Sequence, residues 1–360
     1  MSSRRHPQEV IDLKGSEPIR VLVVDDSLFM RGAVTKMLEQ DGRFQVVGHA
    51  SDGAMAIQKV SEHGPDVVTM DFNMPIMNGA EAVKRIMASH PVPVVMLSAH
   101  TTDGARETIE ALSNGAVDFV TKPSGEVSPD ISRVGPELTA RLINAVKADV
   151  GKLVDAQQTK PTKLKGLTKP KGQPFGRRVV VVAISTGGPA ALAHLLPEIP
   201  RRTNLAIVIV QHMPATFTTA LAERLDSLSS IKVTEAREGD KLHEGVALLA
   251  PGGSHLEFAG DGSVRLTRAA PVNGCRPSAD VTMCSAATVF GRNTVGLVMT
   301  GMGRDGAQGM AAIKQSGGRT LAQSKETCVI FGMPRASIDM GTVDDIVPLD
   351  ELASKISDME

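Results

Sequence analysis

The sequence predicts an α/β protein built from two doubly wound parallel-sheet domains, the second carrying an added β-hairpin. Short β-branched runs alternate with longer stretches of helical period in two separate blocks. A basic stretch poor in large apolar residues separates the blocks. The chain's 360 residues also suit two domains at roughly 150 residues each.

The first block gives a domain over 19–141. IRVLVV leads into a helix over 28–40, FQVVGH into one over 54–62, and DVVTM into one over 80–88. VPVVML then precedes a helix over 104–112, and AVDFV one over 134–150. Strand-like runs that each feed a helix require crossover connections, so the sheet is parallel and covered on both faces.

Residues 147–178 hold nine Lys or Arg against Asp149 and Asp155, a net +7, among prolines and glycines. Such a stretch cannot form its own core, and a basic flexible linker is expected over 142–176. It reads as a soluble spacer or as a dock for an acidic surface or membrane.

The second block gives a domain over 177–356. RRVVVVAIS precedes a helix over 189–196, and NLAIVIVQ one over 214–228. NTVGLVMT precedes a helix over 307–315, followed by RTLAQ, TVDDIVPLD and a terminal helix. In VALLAPGGSHLEFAGDGSVRLTR, the Gly-Asp-Gly-Ser between short apolar stretches marks the hairpin.

Composition narrows the function. Lys and Arg (39) nearly cancel Asp and Glu (40), so no global field favours nucleic acid. Trp and Tyr are absent and Phe numbers nine, which removes most base-stacking platforms. Three cysteines without tight spacing argue against a disulfide framework or zinc cluster. The longest oily run, Val179 to Ile184, is far short of the roughly 20 residues needed to cross a bilayer. A cytoplasmic protein with no nucleic-acid partner and no stable membrane insertion is expected.

Two sets of polar residues sit where strands should end. In the first block, Asp25 and Asp26 follow Val21–Val24, Asp71 follows VVTM, Ser98 ends VVMLS and Lys122 follows DFVT. Ligands bind beyond the carboxyl ends of strands in open α/β sheets. Three converging carboxylates need a cation, and an all-oxygen set suits Mg²⁺. Asp71 would be a nucleophile toward a phosphoryl donor, with Lys122 and the metal neutralising oxygens and Ser98 donating a hydrogen bond.

VLVVDDS, MDFNMPIMNG, LSA and KP together resemble the receiver domain of bacterial two-component response regulators. The resemblance implies that a histidine kinase partner phosphorylates Asp71, with Ser98 and Phe119 as the switch pair. Read alone, Phe119 fits a core position equally well.

In the second block, Ser185 ends a strand run before Thr186-Gly187-Gly188-Pro189 and a helix. That position suits a nucleophile, a phosphate-binding turn or a helix cap. His212 follows NLAIVIVQ, and Asp305 lies in the glycine-rich turn after NTVGLVMT. Serine, histidine and aspartate at three strand ends can form a nucleophile, a base and a base-orienting carboxylate.

AISTGGPAAL, VIVQHMPATFT, LAPGGSHL, RPSAD and LVMTGMGRDGAQG resemble the catalytic domain of chemotaxis protein-glutamate methylesterases. The resemblance makes Ser185 the nucleophile, His212 the base and Asp305 its partner. It gives Met302 an oxyanion-site amide, places Thr186 beside the nucleophile, and implies methylated chemoreceptor cytoplasmic helices as substrate, with no cofactor for the hydrolysis. Ala183 stands where glycine is usual, a difference that bears only on the tightness of the turn. Competing readings are a regulator with a binding output, which the intact Ser185, His212 and Asp305 disfavour, and a hydrolase of small esters, which would need an apolar pocket.

Overall fold

A computed structural model of the chain describes residues 17–98, 101–122, 134–152, 173–174, 178–201 and 203–359. In the first half β1 (Ile19–Val24), α1 (Leu28–Gln40), β2 (Phe44–Ala50), α2 (Gly53–His63), β3 (Val67–Asp71) and α3 (Gly79–Ser89) follow in order. β4 (Val94–Ser98), α4 (Thr102–Ser113), β5 (Asp118–Thr121) and α5 (Gly135–Val146) complete it. The parallel sheet has the order β2-β1-β3-β4-β5. β3 and β4 are buried along their whole length, as strands covered by helices on both faces must be.

Side-chain caps fix where the helices of this half begin. Ser27, Asp52, Asn78 and Thr101 each accept a backbone N–H from the first turn of α1, α2, α3 and α4. The helices therefore start immediately beyond the carboxyl edge of the sheet. The chain passes from β1 outward to β2 and then back across to β3, which makes the β1/β3 boundary the topological switch point.

The second half holds β6 (Gln173–Pro174), β7 (Arg178–Ile184), α6 (Gly188–Glu198), β8 (Leu205–Gln211), α7 (Ala215–Leu228), β9 (Lys232–Glu235), β10 (His243–Glu244) and β11 (Val246–Leu249). β12 (His255–Phe258), β13 (Val264–Thr267), α8 (Ala279–Phe290), β14 (Thr294–Val298) and α9 (Ala307–Gln315) follow. β15 (Arg319–Gln323), α10 (Met333–Asp339), β16 (Asp345–Val347) and α11 (Leu349–Ser357) end the chain. Seven parallel strands run in the order β16-β15-β14-β7-β8-β11-β9. Here the order reverses between β7 and β14, a second switch point.

Both expected sheets are present. The hairpin forms around Gly260–Ser263 as β12 and β13, paired with each other in a separate two-stranded sheet. α8 was not anticipated by the sequence reading, nor were β9, β10 and α10. The expected linker span 142–176 starts within α5, and its residues 153–172 and 175–176 lie outside the described residues. Among the described residues, no helix is long and apolar enough to cross a membrane.

Candidate active site and acidic cluster

In the first half, Asp25, Asp26 and Asp71 leave the ends of β1 and β3 at the switch point, and their carboxylate oxygens lie within 4.8 Å of one another. Asp25 and Asp71 are buried and Asp26 is exposed. The Lys122 ammonium, also buried, donates to Asp25 Oδ2 at 2.9 Å and to Asp71 Oδ1 at 2.8 Å. Burial pushes the Asp71 carboxyl up to about 6, Lys122 pulls it down, and Asp25 adds to the rise. The carboxyl is thus ionised above that value, in an all-oxygen donor set that fits a hard divalent cation.

Ser98 lies 2.5 Å from Thr108 Oγ1 and 3.1 Å from the Gly104 carbonyl, so its hydroxyl engages the first turns of α4. The Phe119 ring is buried with its centroid 4.3 Å from that of Phe217 in α7, at 46° between planes. This aromatic contact joins the two halves. An exposed pair, Arg106 to Glu223 at 3.2 Å, flanks it, with a cavity of about 410 Å³ lined by Thr101, Thr216 and Thr219 among others.

In the second half, Ile184 is in register with Gln211, so Ser185 and His212 emerge side by side from β7 and β8. Two further contacts lock this placement. The His212 amide donates to the Ile184 carbonyl at 3.1 Å, and the buried Gln211 side chain donates to the carbonyls of both Ser185 (3.0 Å) and His212 (3.2 Å). Gly188 has to be glycine, since a Cβ there would overlap the Gln211 amide oxygen. Just beyond β14, the Thr300 carbonyl accepts the Ser185 amide at 3.0 Å, and the Thr300 hydroxyl donates to the Thr186 carbonyl at 3.0 Å. A Cβ on Gly301 would approach the Ser185 Cβ to 2.8 Å, so this close passage also needs glycine.

His212 Nε2 lies 2.7 Å from Asp305 Oδ2. Burial opposes charge on the imidazole, but the hydrogen bond to Asp305 and the adjacent Cys275 thiol outweigh it and raise His212 to about 9. Asp305 is 2% exposed, yet burial is overridden by its donors, chiefly His212 and Ser278, and its carboxyl lies well below the usual range. With Nε2 committed to Asp305, Nδ1 is the nitrogen that this carboxylate leaves free. Among the described residues, the Ser185 hydroxyl makes no hydrogen bond to His212, and the Met302 amide has no acceptor. Met302 is 46% exposed, so the turn after β14 opens onto solvent.

The arrangement matches known proteins over most of the chain. The response regulator receiver domain family matches residues 21–128, and the CheB methylesterase family matches residues 180–356. A protein-glutamate methylesterase/protein-glutamine glutaminase of Pyrococcus horikoshii is 45% identical over 94% of this chain and 92% of its own. The chain belongs to the protein-glutamate methylesterase/protein-glutamine glutaminase family. A protein of the same name from Symbiobacterium thermophilum is 44% identical over 94% of this chain and 96% of its own. The crystal structure of the Thermotoga maritima CheB methylesterase catalytic domain is 39% identical, covers 51% of this chain and 100% of its own, and superposes with a TM-score of 0.50.

Family membership makes this chain a hydrolase that joins a receiver half to a methylesterase half. Sequence reasoning missed the groups that hold the methylesterase site in place. Ser278 Oγ (2.7 Å), Asn273 Nδ2 (2.9 Å) and the Asp280 amide (3.2 Å) all donate to Asp305 Oδ1, while the Ala279 amide donates to Oδ2 at 2.6 Å. Asp305 thus sits on the N-terminus of α8, where backbone amides and the helix dipole favour a negative charge. The available signal was Arg276-Pro277-Ser278-Ala279-Asp280, in which Ser precedes an acidic first turn.

Proposed function

We propose that Ser185, His212 and Asp305 hydrolyse glutamate methyl esters on chemoreceptor cytoplasmic helices, and that the same site deamidates receptor glutamines. The observation that carries this reading is the His212 to Asp305 contact of 2.7 Å, one strand over from Ser185. Ser185 Oγ attacks the γ-carbonyl carbon and His212 Nδ1 takes the hydroxyl proton. Collapse of the tetrahedral adduct breaks the bond to methoxide, which leaves as methanol with that proton. Water, deprotonated by the same nitrogen, then releases glutamate and restores Ser185. A glutamine side chain follows the same course with ammonia departing. The free Met302 amide, with Thr186 adjacent, is positioned to stabilise the oxyanion, an effect worth ~3 kcal/mol per donor.

The receiver half regulates this site. Asp71 is the phosphoacceptor for a histidine kinase, with Mg²⁺ held by Asp25, Asp26 and Asp71. The bound cation supplies charge neutralisation at the transferring phosphoryl group. Lys122 neutralises the same oxygens, and Ser98, with its hydroxyl drawn from α4 toward the new acceptor, lets Phe119 follow. The ring of Phe119 packs on Phe217 in α7, which starts three residues after His212. Residues 142–176 tether the two domains, 19–141 and 177–356, so that the receiver covers the methylesterase cleft until phosphorylation releases it.

Methanol release from methylated chemoreceptor fragments, with and without a phosphodonor, tests both halves of the reading. Ser185→Ala should abolish release. Activity persisting in that variant would exclude this serine as the nucleophile.

A further inference from the structure

Asp305 leaves β14 on a turn that contains Gly301, Gly303 and Gly306, the last two in the left-handed region at φ 92° and 95°. Such a mount does not by itself hold a carboxylate in one orientation. The fixing must come from outside the turn. Three donors crowd Oδ1, and Ser278 and the Asp280 amide both belong to the start of α8. The third comes from a different part of the chain.

We infer that Asn273 is a positioning residue for the hydrolytic reaction, its side-chain amide clamping Asp305 so that Oδ2 faces His212. The inference rests on the reading of Ser185, His212 and Asp305 given above. Asn273 Nδ2 donates to Asp305 Oδ1 at 2.9 Å and to Asp280 Oδ2 at 2.7 Å. Both protons of one amide are therefore spent on two carboxylates. The other oxygen of Asp280 accepts the Gly309 amide at 2.8 Å, in the first turn of α9. One side chain thus ties together the turn 272–275, the start of α8 and the segment on which Asp305 rides. It also places positive N–H ends between two carboxylates, those of the buried Asp280 and Asp305, that would otherwise repel each other.

A purely structural role is the rival account. Val272 and Cys275 exchange backbone hydrogen bonds at 3.1 and 2.9 Å around Asn273 (φ 52°) and Gly274 (φ 75°). This is a two-residue turn of the kind that favours Asn-Gly for its backbone alone. Glycine satisfies that backbone at least as well as asparagine. Asn273→Gly therefore keeps the turn and removes only the clamp.

The full-length chain is assayed by methanol release from methylated receptor fragments, with Ser185→Ala alongside. Asn273→Gly should remain folded, with a melting temperature lowered by the two lost hydrogen bonds, and keep its KM while kcat falls about tenfold, as expected when a base-orienting group drifts. Asn273→Asp, similar in shape but an acceptor beside two carboxylates, should lose more kcat than the glycine variant. Wild-type kcat in Asn273→Gly beside an inactive Ser185→Ala overturns the inference alone. A loss confined to KM overturns it too, because Asn273 would then be a rim contact for the receptor. An active Ser185→Ala fails the underlying reading and takes this inference with it.

Discussion

His212 Nε2 and Asp305 Oδ2 are 2.7 Å apart, bridging the end of β8 and the turn beyond β14 across the intervening strand β7 that carries Ser185. The nucleophile's strand is flanked on either side by those of its base and its orienting carboxylate. A histidine raised to about 9 has to lose its proton before it can act as a base. The kcat/KM of the resting chain should therefore climb with pH from 6, stand at half its maximum near 9 and level only above that. Asp305→Ala removes one of the two groups that raise His212, so the remaining activity should titrate at lower pH than in the parent, with the plateau down at least about 100-fold. A pH series of methanol release measures both. An unshifted profile in Asp305→Ala would remove Asp305 from its role.

The same group links stability to pH. The folded value of about 9 stands above the ordinary imidazole value of 6.5, so the imidazolium's contribution is fully present below 6.5 and lost as pH rises through 9. For a shift of that size the contribution is on the order of 3 kcal/mol. Thermal unfolding between pH 6 and 10 should show a larger alkaline loss in the parent than in His212→Gln.

Ser185 and His212 act on one proton and one bond, so their losses should not multiply. Ser185→Ala and the Ser185→Ala/His212→Ala double variant should share nearly the same residual rate. Independent losses would argue against a shared covalent mechanism.

Asp71 should gain one phosphoryl group, about 80 Da, from acetyl phosphate and Mg²⁺, and Asp71→Asn should gain none. The metal has to displace a proton from Asp71, whose value is about 6. Mg²⁺ should therefore raise the melting temperature at pH 8 and lose this effect as pH falls below 6. Mass spectrometry and thermal shift check the two statements separately.

If the receiver half covers the cleft, a fragment beginning near Gly176 should hydrolyse methylated receptor faster than the unphosphorylated full chain. The exposed Arg106 to Glu223 pair is worth little by itself, but Arg106→Glu sets like charges face to face. That variant should move the full chain toward the fragment's kcat/KM by up to about fivefold. A fragment no faster than the full chain, or slower through a higher KM, would point instead to the basic linker recruiting an acidic receptor surface.

The strand ends were legible because an apolar run in a parallel sheet stops where a polar residue must meet the crevice. Asp25, Asp71, Ser185 and His212 each follow such a run. The mounting of the site was less legible. Ala279–Phe290 forms α8 although it is apolar nearly all round and carries β-branched Val281, Thr282, Thr288 and Val289, so it shows neither a polar face nor a clear period. Asn273 reads as a turn residue in any window, and its use comes from Asp305, 32 positions later. The ring facing Phe119 belongs to the other half of the chain, and no local pattern announces that pairing.

That ring pair has an optical consequence. The chain has no Trp and no Tyr, so its native near-ultraviolet emission is almost dark. An indole in place of Phe217 would be the sole strong fluorophore, set directly against Phe119. While the halves stay together its emission should be blue and shielded from quenchers, and on separation it should turn red and quenchable. Because Phe217 is 1% and Phe119 6% exposed, the larger ring costs about 1–3 kcal/mol of packing at either wall, and Phe119→Trp serves as the control that reports from the switch side. Either variant would time the parting of the two halves after phosphodonor is added, without substrate and without any chemical step.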